Sequence, residues 1–215
     1  MNAGSPKIVA SLRWPLRLTL ITLALFVTYA GLRAISEAVY NDGFPEALAV
    51  KVELLPLVFP VHMVTGGLSL LLVPITLFAR GTTWHRFWGR LTASDILLAG
   101  VTAPFVAWAA PVTVVSAAGF TAQSVVWVGL LLAGVWNIRH GRIVAHQNCM
   151  LLVAAVTSGA LFFRIYLALW AGYGDRHYFK DFYALDAWIA WMLPLFVMAM
   201  ILRYKSKTRA SLNSA

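Results

Sequence analysis

Charged residues are scarce in this chain: Asp, Glu, Lys and Arg make up 12% of its 215 residues, whereas hydrophobic residues make up 60%. A soluble domain carries about 25% charged residues. So little charge cannot cover a folded chain of this length in water, which excludes an ordinary soluble globular protein. The composition therefore predicts an integral membrane protein.

Cysteine occurs once, at Cys149, which excludes an internal disulfide and a cysteine-based metal cluster. The sequence also lacks a Walker loop, a GxGxxG turn, an HExxH pair and a CxxC pair. These absences remove the enzyme classes with the strongest sequence motifs. The formal net charge of +9 is spread over alternate loops instead of one patch, so it indicates membrane topology and not a nucleic-acid partner.

Six apolar stretches predict six transmembrane helices in one all-α membrane domain. They cover residues 14–35, 54–78, 91–112, 117–138, 144–170 and 187–203. We expect the second to fifth helices, residues 54–170, to form a central four-helix core. Residues 1–13 and the basic tail 204–215 lie outside the bundle, and residues 36–53 are predicted to form a loop with an NDG turn.

The basic residues test this helix count. Of the 17 basic residues, 12 fall on the side that holds both termini, and of the eight acidic residues only Asp95 lies toward that side. This positive-inside bias predicts a bacterial inner-membrane protein with both termini in the cytoplasm, surrounded by membrane lipids. The 12 residues are Lys7, Arg13, Arg17, Arg80, Arg86, Arg90, Arg139, Arg142, Arg203, Lys205, Lys207 and Arg209.

Two ionisable residues are expected in the outer half of the bundle. His62 lies about two turns into the second helix and Arg164 at a similar depth in the fifth, with Gly66 one turn from His62. Intramembrane ionisable groups are costly and usually face the bundle interior with a partner. His62 and Arg164, with an acid such as Glu53, are candidates for binding an anion or a quinone. Alternatively, Arg164 reaches the interface, His62 bonds a backbone carbonyl, and Gly66 with the adjacent Gly67 serves close helix packing.

Three histidines are expected at the inner surface. His85 precedes the third helix, His140 follows the fourth, and His146 lies in the first turn of the fifth. Short loops bring these turns to one face of an antiparallel bundle. Imidazoles at one level can ligate a b-type haem iron, and His85 with His146 is the candidate pair. Alternatively, these residues are juxtamembrane cations that touch lipid phosphate.

Asp95 is the one acid expected near the basic side, one turn inside the third helix. A carboxylate at that depth requires a partner. Pairing with Arg90, Arg139 or Arg142 at the interface is one interpretation, and a proton relay is the other.

Two motifs resemble the signatures of a bacterial family catalogued as domain of unknown function 2306. The first is HMVTGGLSLLLVPITLFARGTTWHRFWGR from His62, and the second is IRHGRIVAHQNCMLLVAAVTSGALFFR from Ile138. The resemblance covers residues 54–170 and implies a predicted membrane protein, without an activity. After His146, Gln147-Asn148-Cys149 replaces the family's more usual Arg-x-Trp. The residues at matching positions are His62, His85, Gly89, Arg90, His146 and Arg164.

The chain also resembles six-helix, two-haem b-type cytochromes in its helix number and in its histidines on a central core. It departs from them because the outer half holds only His62, besides His177 in a loop. The leading hypothesis is a membrane redox protein that binds b-type haem, quinone, or both. The alternatives are a non-enzymatic transporter, an assembly partner of a membrane complex, and a purely structural subunit. Whether the chain is an enzyme stays open.

Overall fold

The computed structural model describes residues 46–213 and eight isolated positions between 22 and 36. The isolated positions are helical, but most of the predicted first helix (14–35) and all of residues 1–13 lie outside the described residues. The described part contains helices and no strand. Its helices are α1 (Glu46–Leu54), α2 (Val58–Phe78), α3 (His85–Trp108), α4 (Val114–Arg139), α5 (Ile143–Tyr173), a 3-10 helix (Arg176–Tyr178) and α6 (Phe179–Asn213).

Five of these helices, α2 to α6, are long and apolar enough to cross a bilayer. Many of their large apolar side chains point away from the protein, among them Phe78 at 86% exposure and Phe105 at 62%. Such a surface is stable against lipid tails and unstable against water. The all-α, multi-pass membrane architecture predicted from composition is thereby confirmed, with five of the six predicted helices in the described residues.

Several helix ends differ from the prediction. Helix α3 begins at His85 and not at residue 91, and α6 begins at Phe179 and continues to Asn213. Helix α1 lies within residues 36–53, which were predicted to be a loop. Hydropathy locates only the apolar part of a helix, whereas a helix can continue into the headgroup region, where basic and aromatic side chains are favourable.

Neighbouring helices run antiparallel, as their side-chain contacts show. Along the interface of α2 and α3, contacting residues have rising numbers on α2 and falling numbers on α3. The contacts join His62 to Ala99, Ser69 to Asp95 and Thr76 to His85. Helices α4 and α5 follow the same rule, with Gly134 joined to His146 and Trp127 to Thr157.

The apolar core lies where α2 to α5 meet. Each of these four helices contributes one buried residue to a single cluster, namely Val73, Ile96, Leu131 and Val153. Helix α6 packs closely against α5 and α4 and buries Trp191 among them. The packed unit therefore extends beyond the predicted four-helix core and includes the sixth helix.

The two ends of the bundle differ in charge. The basic end holds the α2–α3 turn, residues 79–84, and the α4–α5 turn, residues 140–142, and it carries Arg80, Arg86, Arg139 and Arg142. The opposite end holds α1, the α3–α4 turn at residues 109–113 and the α5–α6 segment at residues 174–178.

A capping box begins α4 at the opposite end. The backbone N–H of Ser116 donates to Thr113 Oγ1 at 3.0 Å, and the N–H of Thr113 donates to Ser116 Oγ at 3.2 Å. We expect Thr113→Ala to lower the free energy of unfolding by about 1 kcal/mol, because α4 loses its side-chain cap. Thermal unfolding in mild detergent measures the effect. Thr113→Ser keeps the hydroxyl and is the control, and equal melting temperatures for the two variants would contradict this role of the cap.

Candidate functional site

His62 lies four residues inside α2, about 6 Å along the axis from its start at the opposite end. Its Nδ1 lies 3.1 Å from the carbonyl oxygen of Ala99 and 3.2 Å from Thr102 Oγ1, both on α3. A carbonyl oxygen only accepts, so Nδ1 carries the proton and donates to it. The second ring nitrogen, Nε2, is then an acceptor in the neutral imidazole. The predicted backbone contact of His62 is present, and it fixes the ring.

Lys51 joins this region from α1, although no pattern in the sequence singles it out. Its Nζ donates to the carbonyl oxygens of Ala109 and Val106, the latter at 2.8 Å, at the C-terminal end of α3. A cation there satisfies unpaired carbonyls and complements the helix dipole. Burial lowers the pKa of the Lys51 ammonium group, because the charged form loses hydration.

Arg164 lies on α5, nine residues before its end at Tyr173. Its Nη1 donates to the carbonyl oxygen of Ala160, one turn back on the same helix, at 2.9 Å, and its side chain is exposed. The positive charges of Arg164 and Lys51 both act on the imidazole of His62. Helices α1, α2 and α5 therefore bring Lys51, His62 and Arg164 into one electrostatic group, which we call the His62 cluster.

Glu53 and Gly66, both predicted to lie near His62, have different surroundings. Glu53 is an exposed residue of α1. Gly66 has open space beside it, since a Cβ built on Gly66 meets no atom of the described chain within 4 Å. Gly66 therefore leaves open space on its side of α2, whereas the adjacent Gly67 is buried, as close helix packing requires.

The three histidines of the basic end share one local arrangement. In each, Nδ1 lies near a backbone carbonyl oxygen: Thr76 for His85 at 3.2 Å, Trp136 for His140 at 2.8 Å, and Gly134 for His146 at 2.9 Å. Metal-binding histidines commonly donate their second ring N–H to such an oxygen, which orients the ring and leaves Nε2 for the metal. The donor chemistry therefore fits a haem iron.

The placement of these histidines is less favourable for one shared ion. Within residues 46–213 and the isolated positions before them, no three His, Cys, Asp or Glu side chains gather closely enough to hold a metal. His85 is on α3, which packs mainly on α2 and α4, and His146 is on α5, which packs mainly on α4 and α6. His140 is exposed, with its ring centroid 4.3 Å from that of Trp136. A haem needs only two axial imidazoles, so His85 and His146 remain the candidate pair.

Asp95 lies deeper than the sequence predicted. Because α3 begins at His85, Asp95 is ten residues from its first residue and 13 from its last, about 15 Å and 20 Å along the axis. The carboxylate is 8% exposed and accepts a hydrogen bond from Ser69 Oγ at 2.6 Å. The predicted ion pair with an arginine at the interface is wrong: the partner is a serine hydroxyl, and the contact lies near the middle of α3.

Asp186 is a buried acid that the sequence placed in a loop. It lies seven residues inside α6 and is 3% exposed, and within the described part of the chain both carboxylate oxygens lack a hydrogen-bond partner. Nearby, the rings of Phe120, Phe163 and Tyr183 form an edge-to-face cluster, with centroids 5.2 to 6.0 Å apart. The sequence contains a signal for this part of the helix. Tyr183, Asp186 and Ala190 are three and four residues apart, so the helical period of α6 begins before Ala187.

Comparisons with known proteins agree with the family resemblance. A family model described as predicted membrane protein, DUF2306, matches residues 59–202, which are 144 of the 215 residues. The match runs from the second residue of α2 into the C-terminal half of α6, so it includes the His62 cluster except Lys51. No curated protein and no solved structure matches the chain.

Proposed function

The chain belongs to the DUF2306 family of predicted membrane proteins, and from this starting point we propose that it is a membrane redox protein that binds a quinone at the His62 cluster. One observation carries the proposal: His62 is held through Nδ1 by Ala99 and lies in the positive potential of Arg164 and Lys51. A fixed imidazole on which two positive charges act suits a ligand whose oxygen atoms gain negative charge on reduction.

The His62 cluster supplies the two kinds of contact that a quinone and its quinol need. The cationic groups of Arg164 and Lys51 favour electron-rich carbonyl oxygens, and the lone pair of His62 Nε2 accepts a hydrogen bond from a quinol hydroxyl. The open space beside Gly66 gives a flat ring room against α2. Reduction takes two electrons and two protons per quinone, so the proposal requires a one-electron partner of the haem class.

His85 and His146 are the residues that would hold a b-type haem, since both present Nε2 while Nδ1 is bonded to a carbonyl. A haem supplies one-electron chemistry, and the protein supplies its axial ligands and electrostatic environment. The proposed setting is the bacterial inner membrane, with the basic end in the cytoplasm as the positive-inside rule requires.

The test for haem is a dithionite-reduced minus oxidised spectrum of purified protein at a known haem-to-protein ratio. We expect b-type bands near one haem per chain, lost in His85→Ala and in His146→Ala because each variant removes a residue that would hold the haem. His140→Ala is the matched control and keeps the bands, since His140 is exposed and its ring lies against Trp136. A featureless spectrum from haem-replete cells would remove haem from the proposal.

Quinone binding is tested separately, by quenching of tryptophan fluorescence with a short-chain benzoquinone. His62→Ala is expected to weaken binding about fivefold, because one hydrogen bond contributes about 1 kcal/mol. His177→Ala is the control, since His177 lies in the 3-10 helix of the α5–α6 segment. Equal affinities for the wild type and His62→Ala would exclude the His62 cluster as the quinone site.

A non-enzymatic transporter or accessory subunit is the second candidate function. The observation that favours it is the accumulation of positive charge at Lys51 and Arg164, which suits an inorganic or lipid-derived anion as well as a quinone. Competition distinguishes the two functions: an anion site is displaced by phosphate or sulfate in the fluorescence assay, whereas a quinone site is insensitive to both.

A further inference from the structure

We propose that the interface between α2 and α3 carries protons across the membrane through Asp95. This proposal does not rest on quinone or haem binding. It rests on a row of polar side chains, the polar seam, which runs between the two helices from one end of the bundle to the other. The members of the seam are His62, Thr65, Ser69 and Thr76 on α2, and His85, Thr92, Asp95 and Thr102 on α3.

The seam follows a helical period on both helices. On α2 its members fall at positions 62, 65, 69 and 76, and on α3 at positions 85, 92, 95 and 102. Spacings of three, four and seven residues keep side chains on one face of a helix, as in coiled coils. Both faces are turned toward each other, since α2 and α3 pack along their length. Polar groups are thereby stacked across an otherwise apolar pair of helices.

Hydrogen bonds join the two helices at successive levels. At the opposite end, His62 bonds to Thr102 and Ala99, and one turn deeper Thr65 is buried below it. In the middle, Ser69 donates to Asp95.

Toward the basic end, Thr76 and Thr92 share a hydrogen bond of 2.6 Å, and the ring of His85 bonds to the carbonyl oxygen of Thr76. Each end of the seam is therefore an imidazole, and the levels between them are hydroxyls and one carboxyl group.

Successive levels are close enough for proton exchange. Along α2, Thr65 lies three residues and Ser69 seven residues from His62, which are rises of about 4.5 Å and 10 Å. On α3, Asp95 is three residues from Thr92, again about 4.5 Å. The rise from Thr65 to Ser69 is about 6 Å, and the Thr65 hydroxyl bonds to carbonyl oxygens of its own helix, so the proposed path includes a bridging water between these levels.

Asp95 is the residue that favours proton transfer, and not helix packing alone, as the role of the seam. Serine and threonine hydroxyls are sufficient to join two membrane helices. A carboxyl group near the middle of the bilayer is costly, and such groups commonly serve as relays in ion pathways. Asp95 is buried against a single hydroxyl donor, and no packing requirement calls for an acid there. It can take up a proton from one side and release it to the other.

The chemistry balances without another reactant. A proton adds to the imidazole of His62, passes along hydroxyl groups and bridging water through the Asp95 carboxyl, and leaves from the hydroxyl of Thr76 to water at the basic end, since the carbonyl oxygen that His85 contacts carries no proton. Only O–H and N–H bonds form and break, and the driving force is the proton gradient or the membrane potential. The seam therefore acts as a passive path by itself, and as a proton supply for any proton-consuming site at its ends.

The test uses purified full-length protein reconstituted into liposomes that contain a trapped pH-sensitive dye. Potassium and valinomycin impose a membrane potential, and the rate of internal acidification is recorded. The wild type is expected to exceed protein-free liposomes at least fivefold, and Asp95→Asn to return to the protein-free rate. Asp186→Asn is the matched control, a buried acid on α6 outside the seam, and keeps the wild-type rate. Ser69→Ala is expected to slow acidification severalfold.

Asp95→Asn retains a side-chain oxygen that accepts from Ser69, so the fold has no reason to change. A monodisperse size-exclusion profile and an unchanged helical circular dichroism spectrum establish this. A wild-type rate equal to that of protein-free liposomes overturns the proposal, and so does an Asp95→Asn rate equal to wild type. Because the assay contains neither quinone nor reductant, its outcome is separate from that of the redox proposal.

Discussion

Gly159→Val is expected to destabilise the bundle by about 3 kcal/mol or more, because it forces α5 and α6 apart. A Cβ at position 159 would lie 2.7 Å from the Cβ and 2.9 Å from the Cα of Trp191, and 3.1 Å from Gln123 Nε2. The Cα of Trp191 belongs to the α6 backbone and cannot rotate away. Thermal unfolding in detergent measures the loss, together with the yield of monodisperse protein.

The same substitution at Gly129 provides the control. Gly129 lies in α4 and is exposed, and a Cβ there meets no atom of the described chain within 4 Å. Gly129→Val is therefore expected to change the free energy of unfolding by no more than about 0.5 kcal/mol. If both variants unfold at the same temperature, the close α5–α6 contact is not a determinant of stability.

The two buried acids are expected to respond to alanine in opposite directions. Asp186→Ala removes two carboxylate oxygens for which the described residues provide no hydrogen-bond partner. Because a buried polar group without a partner costs about 1 to 3 kcal/mol, the variant is expected to gain stability of that order. Asp95→Ala leaves the hydroxyl of Ser69 without its acceptor, and is expected to lose about 1 to 3 kcal/mol.

The comparison is made by thermal unfolding of both variants in one detergent at one pH. A lower melting temperature for Asp186→Ala than for the wild type would show that the Asp186 carboxyl has a stabilising partner. Such a result would direct attention to a bound cation near the Phe120, Phe163 and Tyr183 rings, since a cation is the partner that an unpaired carboxylate requires.

Much of the architecture could be predicted because the bilayer restricts the solutions. An apolar run such as residues 58–78 has to be a helix, since lipid offers its backbone no other hydrogen-bond partners. The end of α2 at Phe78 and the start of α5 at Ile143 therefore lie at or within one residue of the predicted ends. Polar helix ends could not be predicted in this way. The stretch before Ala187 contains Lys180, Asp181 and Asp186, and this polarity is typical of a loop, although the stretch belongs to α6.

The candidate site was predictable only in part. His62 and Arg164 could be singled out because ionisable groups are rare in apolar helices, and the structure places both in one electrostatic group. Lys51 could not be singled out from the sequence, because its contact with α3 depends on a short helix within a polar segment. The polar seam shows a readable period at positions 62, 69 and 76, but which groups meet across it depends on the rotation of α2 and α3 about their axes. Spacing within one helix does not determine that rotation.

The hydrogen bond between Ser69 and Asp95 also bears on how the chain enters the membrane during synthesis. An aspartate at the centre of a lone inserting helix costs about 2.5 to 3.5 kcal/mol, and α3 would meet that cost if it entered lipid alone. When α2 and α3 leave the translocon together as a hairpin, the hydroxyl of Ser69 already accompanies the carboxyl group. The six-residue turn at 79–84 is short enough for this joint release. Biogenesis of the bundle therefore favours α2 and α3 as one insertion unit, onto which the later helices assemble.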